Sequence, residues 1–207
     1  MGSLSLHPGD RFLLKDPHIG PLVHQHGPCP LGSVAKDPLG RLVRSVVGQQ
    51  LSVKAATTIG SRLSARVGDP VDPSRLARTT RNELRGTGLS RVKAKAIRLI
   101  GKGVEEGSID FQEIQEMDDL MAIRTLTALY GVGPWTAEMF LIFALGRPDI
   151  LSTGDLGLQE GARRLFGLGE RPSPEAFLSL AKPWRPWQSV ASWYLWRLLD
   201  VPQEGRR

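Results

Sequence analysis

The stretch LYGVGPWTAEMF, residues 129–140, places two glycines, a proline and a tryptophan between two helical segments. Apolar residues recur at helical spacing over 120–129 before the turn and over 137–143 after it. Glycine at 131 and 133 permits positive φ and removes the Cβ that would hold another backbone away. Backbone amides of such a turn can form an anion site suited to a phosphate. A plain helical hairpin that ends in a glycine cap is the alternative, and the turn alone fits both.

Composition favours a polyanionic partner. The 207 residues carry a formal charge of +6, and a basic excess of this size is typical of nucleic-acid-binding proteins, although a merely basic surface also fits it. Cys29 is the one cysteine, which excludes an internal disulfide framework, a four-cysteine zinc site and a four-cysteine iron–sulfur cluster. We expect its thiol to be inert.

Membrane association is not expected. No apolar run reaches the roughly 18 residues that a membrane span needs, and the N-terminus lacks the apolar core of a signal peptide. We therefore expect a cytoplasmic protein, in a bacterial cytosol or nucleoid, that acts as a monomer.

The rest of the chain reads as a succession of helices. Asp37 followed by Pro38, Ser52 and Ser90 each precede an apolar pattern of helical period, as helix-capping residues do. Residues 1–34 are broken by proline, and alternating strand patterns are almost absent. The sequence therefore predicts an all-α fold.

Four segments, in this order, resemble the helix-hairpin-helix DNA glycosylase superfamily and its 3-methyladenine DNA glycosylase II (alkylbase) branch. They are VRSVVGQQLSVKAA (43–56), TGLSRVKAKAI (87–97), LYGVGPWTAEMFLIFALGRPDILSTGDLG (129–157) and WRPWQSVASWYLW (184–196). The third contains the hairpin, a Gly/Pro-rich loop and an aspartate. Together the segments cover roughly residues 35 to 200.

The resemblance implies two helical lobes with a DNA-binding cleft between them. One lobe is expected from 35–130, and the other from 1–34 together with 131–207, with the hairpin 118–146 at the junction. The β-rich N-terminal domain of longer family members has no room here, so a compact form is expected.

Asp155 is the catalytic carboxylate by this match. From its local sequence it could also be the N-cap of the next helix, and the two roles are compatible because the helix N-terminus favours the anionic form. A glycosylase needs that anion to stabilise the oxocarbenium-like sugar as the base leaves.

Trp135 stands where relatives that also cut the strand carry a Schiff-base lysine. The resemblance therefore implies a monofunctional glycosylase that uses water and leaves an abasic site. Catalysis is expected to need no cofactor.

The base pocket is expected to include Trp135 and Trp196. Indole faces attract cationic alkylated purines by stacking and cation–π contact. Met139 and Leu156 occupy pocket positions where longer relatives have aromatic residues, so we expect a more open pocket with a different substrate range. For Trp196 the alternative is a last helix that is simply buried on all sides.

The segment VGQQLS is expected at the DNA. Gln50, or alternatively Leu51, occupies the wedge position that fills the gap left by an extruded base. The alternative is a helix junction at which Gln49 and Gln50 hydrogen-bond to backbone.

The hairpin is expected to hold DNA phosphates through the amides of Gly131, Gly133 and Thr136. Lys93 and Lys95 are further candidates, unless their helix face is merely solvated. A monovalent cation, bridging to DNA, is expected on the backbone carbonyls of three residues: Thr127, Leu129 and Val132.

The function that these expectations favour is excision of alkylated, cationic purines such as 3-methyladenine and 7-methylguanine from damaged double-stranded DNA. All four histidines lie in the first 26 residues, so general-acid help for neutral bases looks missing. The alternatives are a glycosylase for uracil or an oxidised purine, and a non-catalytic helix-hairpin-helix DNA-binding module.

Overall fold

A computed structural model describes residues 6–200, and the regular structure in that range is entirely helical, which confirms the all-α prediction. The helices are α1 (Pro8–Leu13), α2 (Gly20–His26), α3 (Pro38–Gly48), α4 (Val53–Val67), α5 (Pro73–Arg78), α6 (Arg81–Gly86), α7 (Arg91–Glu105), α8 (Phe111–Glu116), α9 (Asp119–Thr127), α10 (Pro134–Phe143), α11 (Leu156–Leu165), α12 (Pro174–Leu180), a 3₁₀ helix (Lys182–Trp184) and α13 (Gln188–Asp200). Within these described residues, no helix has both the length and the apolar character to cross a bilayer.

Local sequence sets the starts of the longer helices. Asp37, Ser52 and Ser90 each accept a hydrogen bond from the backbone amide three residues later, at 2.7, 3.3 and 3.3 Å. Each cap satisfies one of the amides that a helix N-terminus leaves unpaired, and a cap of this kind contributes about 1 kcal/mol. The three predicted helix starts are confirmed.

Contacts divide the described residues into two units, and Ser33–Leu145 forms the first. In this unit α7 packs against α3, α5 and α6, and α10 packs against α3 and α9. Ile97, Leu126 and Phe140 are fully buried among these helices.

The boundary of this unit differs from the predicted one. We expected the first lobe to end at 130, but the structure keeps 131–145 with it and puts the boundary after Leu145. The reason is packing: α10 lies against α3 and α9, and the Ala35 amide donates to the Ala144 carbonyl at 2.7 Å. The whole hairpin therefore belongs to the first unit.

The second unit combines residues 6–32 with 146–200. Its central helix, α13, packs against α1, α2 and α11 and buries Val190, Ala191 and Tyr194, which recur at the spacing of one helix face. Phe177 and Trp184 are, with Tyr194, the largest fully buried side chains of this core.

A buried polar cluster ties the start of the chain to α13. Asp10 is fully buried and accepts hydrogen bonds from the Tyr194 hydroxyl at 2.8 Å and from the Cys29 amide at 3.2 Å. Burial raises the pKa of the Cys29 thiol to about 12, so the thiol stays protonated at neutral pH. This agrees with the expectation of an inert cysteine and gives the N-terminal segment a structural role.

Candidate active site and nucleic-acid interface

The hairpin turn uses its two glycines differently. Gly131 has φ +80°, and a Cβ built on it would lie 2.5 Å from the Cβ of Ala96 on α7. Gly133 has φ −94° and ψ 176°, an extended backbone that any residue adopts, and a Cβ there would meet nothing within 4 Å. The turn therefore requires glycine at 131, whereas Gly133 does not use the positive φ that glycine permits.

Gly133 is the N-cap of α10, and no side chain caps the first turn of this helix. Pro134 follows as the first helical residue, and Thr136 lies two residues further on. An uncapped helix N-terminus presents backbone N–H groups to an anion, and the open space at Gly133 lets a bulky anion approach them. The geometry suits the phosphate contact expected of Gly131 and Gly133, whereas Thr136 is only 1% exposed and its amide is less accessible to an anion.

Gln49 supports this turn from the end of α3. Its Nε2 donates to the Gly131 carbonyl at 3.0 Å and to Thr136 Oγ1 at 2.8 Å, and Thr136 is buried. Sequence reasoning raised a backbone contact for Gln49 only as the alternative to a wedge. Its partners lie more than 80 residues away, so no local pattern could have identified them.

Gln50 and Leu51 follow directly. Gln50 is exposed, has φ +55°, and makes no side-chain hydrogen bond within the described part of the chain; Leu51 is 38% exposed. A non-glycine residue in the left-handed region costs of order 1–3 kcal/mol and clusters at functional sites. Both residues are thus accessible, and the wedge role remains a prediction.

The two lysines of α7 that were predicted to contact phosphate have different surroundings. Lys93 donates from Nζ to the carbonyls of Val47 at 2.9 Å and Gln49 at 2.5 Å, and burial lowers its pKa. Its ammonium therefore caps the C-terminus of α3, so fewer of its N–H groups are available, and the phosphate contact expected of it remains a prediction. Lys95 is exposed and lies over the Tyr130 ring, 4.1 Å from its centre, so it remains a candidate for phosphate contact.

The three carbonyls expected to hold a monovalent cation lie around the same turn. The Leu129 carbonyl accepts a hydrogen bond from the Val132 amide at 3.1 Å, and Thr127 is the last residue of α9. Carbonyl oxygens are hard donors that suit such a cation. The cation itself remains a prediction.

Asp155 is the N-cap of α11, which confirms one of the two roles predicted for it. Its Oδ1 accepts a hydrogen bond from the Leu158 amide at 2.7 Å and a second from Trp196 Nε1 at 3.2 Å. Gly157 lies close beside this contact, since a Cβ there would be 3.0 Å from Asp155 Oδ1. Two donors from different helices therefore fix the orientation of the carboxylate.

Trp196 lies on α13 and is half-buried, so the helix is not equally buried on all sides. Its indole N–H is donated to Asp155, a contact that the sequence did not reveal because the two residues are 41 positions apart. Stacking on a base remains a separate, untested prediction for the same ring.

The remaining predicted pocket residues differ in exposure. Trp135 is half-buried in the first turn of α10, and Leu156 is 63% exposed at the start of α11. Met139 is only 5% exposed, so most of its side chain is unavailable to a base. This weakens its expected role as a pocket residue, because α10 packs against α3 and α9.

A family model described as HhH-GPD superfamily base excision DNA repair protein matches residues 43–186. The alkylbase DNA glycosidase-like protein mag2 of Schizosaccharomyces pombe is 30% identical over 190 residues, covering 89% of this chain and 89% of mag2.

Solved structures give the same family. The S. pombe 3-methyladenine DNA glycosylase Mag1, in complex with abasic DNA, superposes with a TM-score of 0.87 at 28% identity, covering 97% of this chain and all of Mag1. DNA-3-methyladenine glycosidase of Bacillus halodurans has a TM-score of 0.74 at 39% identity, covering 92% of this chain and 88% of that one.

Proposed function

This chain belongs to the HhH-GPD superfamily of base excision DNA repair proteins, in the alkylbase glycosylase branch, and we propose that it excises cationic alkylated purines from duplex DNA. It is a DNA glycosylase that hydrolyses the N-glycosidic bond. The observation that carries the finer proposal is the Asp155 carboxylate, oriented by the Leu158 amide and the Trp196 indole.

Asp155 supplies the charge that the reaction needs. As the bond between C1′ and the base nitrogen breaks, both electrons leave with the base and C1′ becomes positive. A fixed carboxylate stabilises that positive charge better than water does, because the protein already holds the carboxylate in position, whereas water molecules must reorient. Water then adds to C1′ and loses a proton, which leaves an abasic site and a free base.

DNA is held by the hairpin turn. The amides of Gly131 and Gly133 donate to phosphate oxygens, and Gln49 keeps the turn in the shape that presents them. Lys95 adds a cation on the neighbouring surface. Mag1 supports this proposal, since that relative is in complex with abasic DNA.

Base extrusion leaves a gap in the duplex that a side chain must fill. Gln50 fills it, with Leu51 as the second candidate, because both side chains are exposed beside the residue that supports the hairpin. If Gln50→Ala leaves the affinity for abasic duplex unchanged, this role belongs elsewhere.

The reaction stops at the abasic site. Trp135 occupies the position after Gly-Val-Gly-Pro at which the strand-cutting relatives carry a nucleophilic lysine, and an indole forms no Schiff base. Borohydride treatment during turnover should trap no covalent adduct with DNA. An efficient adduct would refute hydrolysis as the only chemistry.

Substrate charge decides which bases leave. A cationic base departs as a neutral molecule without receiving a proton, whereas a neutral base gains from a general acid, worth about 10²–10⁴-fold. The four histidines all lie within the first 26 residues, and two of them pack elsewhere, His7 against Trp187 and His18 against Phe166. Trp135 and Trp196 would favour the cation further by stacking.

The experiment that tests this function is single-turnover base release from otherwise identical duplexes. We expect rapid release of 3-methyladenine and 7-methylguanine, slower release of ethenoadenine, and little release of 8-oxoguanine or uracil. If 8-oxoguanine or uracil leaves as fast as 7-methylguanine, selection by charge is wrong.

Three further points complete the proposal. A sodium or potassium ion on the carbonyls of Thr127, Leu129 and Val132 would strengthen the phosphate contact, and exchanging potassium for a bulky organic cation at constant ionic strength should then weaken DNA binding.

The protein acts as a monomer. It works in the cytoplasm, where bacterial DNA is accessible.

A further inference from the structure

A basic surface lies beside the hairpin, within the unit Ser33–Leu145. It is a groove of about 520 Å³ between α6 and α7, which we name the α6–α7 groove. Its lining includes six residues that matter here: Arg81, Asn82, Arg85, Arg91, Lys95 and Tyr130. Four of these are cations, and the lining contains no carboxylate.

The arginines of this groove differ from others in the same unit. Within residues 6–200, Arg81, Arg85 and Arg91 form no ion pair, and all three are exposed. By contrast, Arg75 pairs with Asp72 and Arg78 with Glu105. The positive charge of the groove is therefore not neutralised by the protein's own side chains.

The one carboxylate of α6 is held by other groups. Glu83 accepts hydrogen bonds from the Thr80 hydroxyl at 2.7 Å and the Thr80 amide at 2.9 Å, and Arg66 contacts it at 2.9 Å. Hydrogen bonds from Thr80 lower the pKa of Glu83 further below neutrality. It therefore stays ionised while bound to groups that do not include the groove arginines.

Position suggests which anion the groove accepts. Tyr130 lines the groove and immediately precedes Gly131, the first residue of the phosphate-binding turn. Lys95 lies over the Tyr130 ring at 4.1 Å, a cation–π contact that keeps the ammonium at this end of the groove. A nucleic acid strand held at the turn would meet these cations as it continues.

We propose that the α6–α7 groove binds backbone phosphates of the same duplex beyond the hairpin, extending the DNA contact along the strand. The inference rests on the proposed function, because it takes the hairpin as a DNA contact. It adds Arg81, Arg85 and Arg91 as phosphate-binding residues. These contacts position the duplex and carry no information about the damaged base.

The test compares two charge-matched double variants. R85Q/R91Q removes two groove cations, and R75Q/R78Q removes two exposed cations of α5 that are already ion-paired. The probe is a duplex with a stable tetrahydrofuran abasic site, titrated at salt concentrations from about 50 to 200 mM. Thermal unfolding of both variants checks that each is folded.

The expected result is a change in the salt dependence of binding. Each lost phosphate contact reduces the magnitude of the negative slope of log K against log salt by about 0.9, so R85Q/R91Q should reduce that magnitude by about 2 and R75Q/R78Q should leave it unchanged. Shortening the duplex on the one side that reaches the groove should abolish the difference between R85Q/R91Q and wild type. Equal slopes for both variants, or an effect that neither shortened duplex removes, would overturn the proposal.

Base release separates this inference from the proposed function. Single-turnover release of 7-methylguanine at saturating enzyme should be the same for R85Q/R91Q and wild type, because the groove does not touch the base. A wild-type protein that shows the groove-dependent slope but releases no methylated base would refute the function and leave the groove assignment standing.

Discussion

Helices α10 and α11 each begin after a glycine-containing turn, but only α11 has a side chain that caps its N-terminus. At α10, Gly133 provides no side-chain cap, and we propose that an anion from outside occupies this helix N-terminus. At α11, Asp155 provides the cap from its own side chain, and the Leu158 amide holds it at 2.7 Å. The same helix dipole can thus bind a ligand's phosphate or orient the protein's own carboxylate. One missing side chain makes the difference.

The largest effect is expected when the charge at α11 is removed. Asp155→Asn retains the cap, since asparagine caps as well as aspartate, but cannot stabilise a positive sugar. Single-turnover release of 7-methylguanine should fall by about 10²–10³-fold, the range for removing a preorganised electrostatic group. Affinity for abasic duplex should be nearly unchanged or tighter. A variant that retains more than about a few per cent of the wild-type rate would remove Asp155 from the reaction.

Giving α10 the same cap as α11 should have the next largest effect. Gly133→Asp fits the extended backbone and the open space there, and its carboxylate would accept the first-turn amides itself. Affinity for abasic duplex should fall about a hundredfold, because a like charge opposite the phosphate costs several kcal/mol. The protein itself should melt no lower than wild type.

Two controls belong to this variant. Gly133→Ser caps without charge and should weaken DNA binding less. Gly131→Ala should instead lower the melting temperature, since its Cβ would lie 2.5 Å from that of Ala96 in a left-handed backbone. If Gly133→Asp binds DNA like wild type, the α10 N-terminus is not the phosphate site.

A smaller effect is expected when the second donor to the α11 cap is lost. Trp196→Phe keeps an aromatic ring but removes the N–H that contacts Asp155 at 3.2 Å. A hydrogen bond to a charged group contributes about 1.5–3 kcal/mol, so we expect release to slow by at least about tenfold with no change in DNA affinity. Trp193→Phe, on the same helix and also half-buried, is the matched control and should be neutral. Full activity of Trp196→Phe would leave stacking as the only role of this ring.

The smallest effect concerns the surface of α11. Contacts with Arg163, Arg164 and Arg171 lower the pKa of Glu160 from 4.5 to about 2. A lowered folded-state pKa stabilises the protein above the unfolded value, and this stabilisation is lost as pH falls from about 4.5 to about 2.

Glu160→Gln should therefore lower stability slightly at neutral pH and flatten its loss between these two pH values. Urea unfolding at neutral pH and near pH 3 measures this, with the exposed Glu170→Gln as control. An unchanged pH dependence would contradict the assignment.

Much of the fold could be predicted because helix signals are local. Asp37, Ser52, Ser90 and Asp155 were readable as caps, since each bonds an amide only three residues away. The apolar face of α13, with Val190, Ala191 and Tyr194, follows from the 3.6-residue period of its apolar residues. The family could be recognised for a related reason: its motifs are short, contiguous and ordered along the chain.

The sequence by itself therefore determined the helices, the family and the identity of the candidate carboxylate. Only the tertiary structure decided which partners three side chains have, because those partners are distant in sequence. Gln49 bonds to the hairpin, Lys93 to the end of α3 and Trp196 to Asp155. It also decided that Gly131 is required by Ala96, whereas Gly133 is required by nothing in its own surroundings. The physical reason is that contacts within one helical turn follow from backbone geometry, whereas contacts between helices depend on how their surfaces pack.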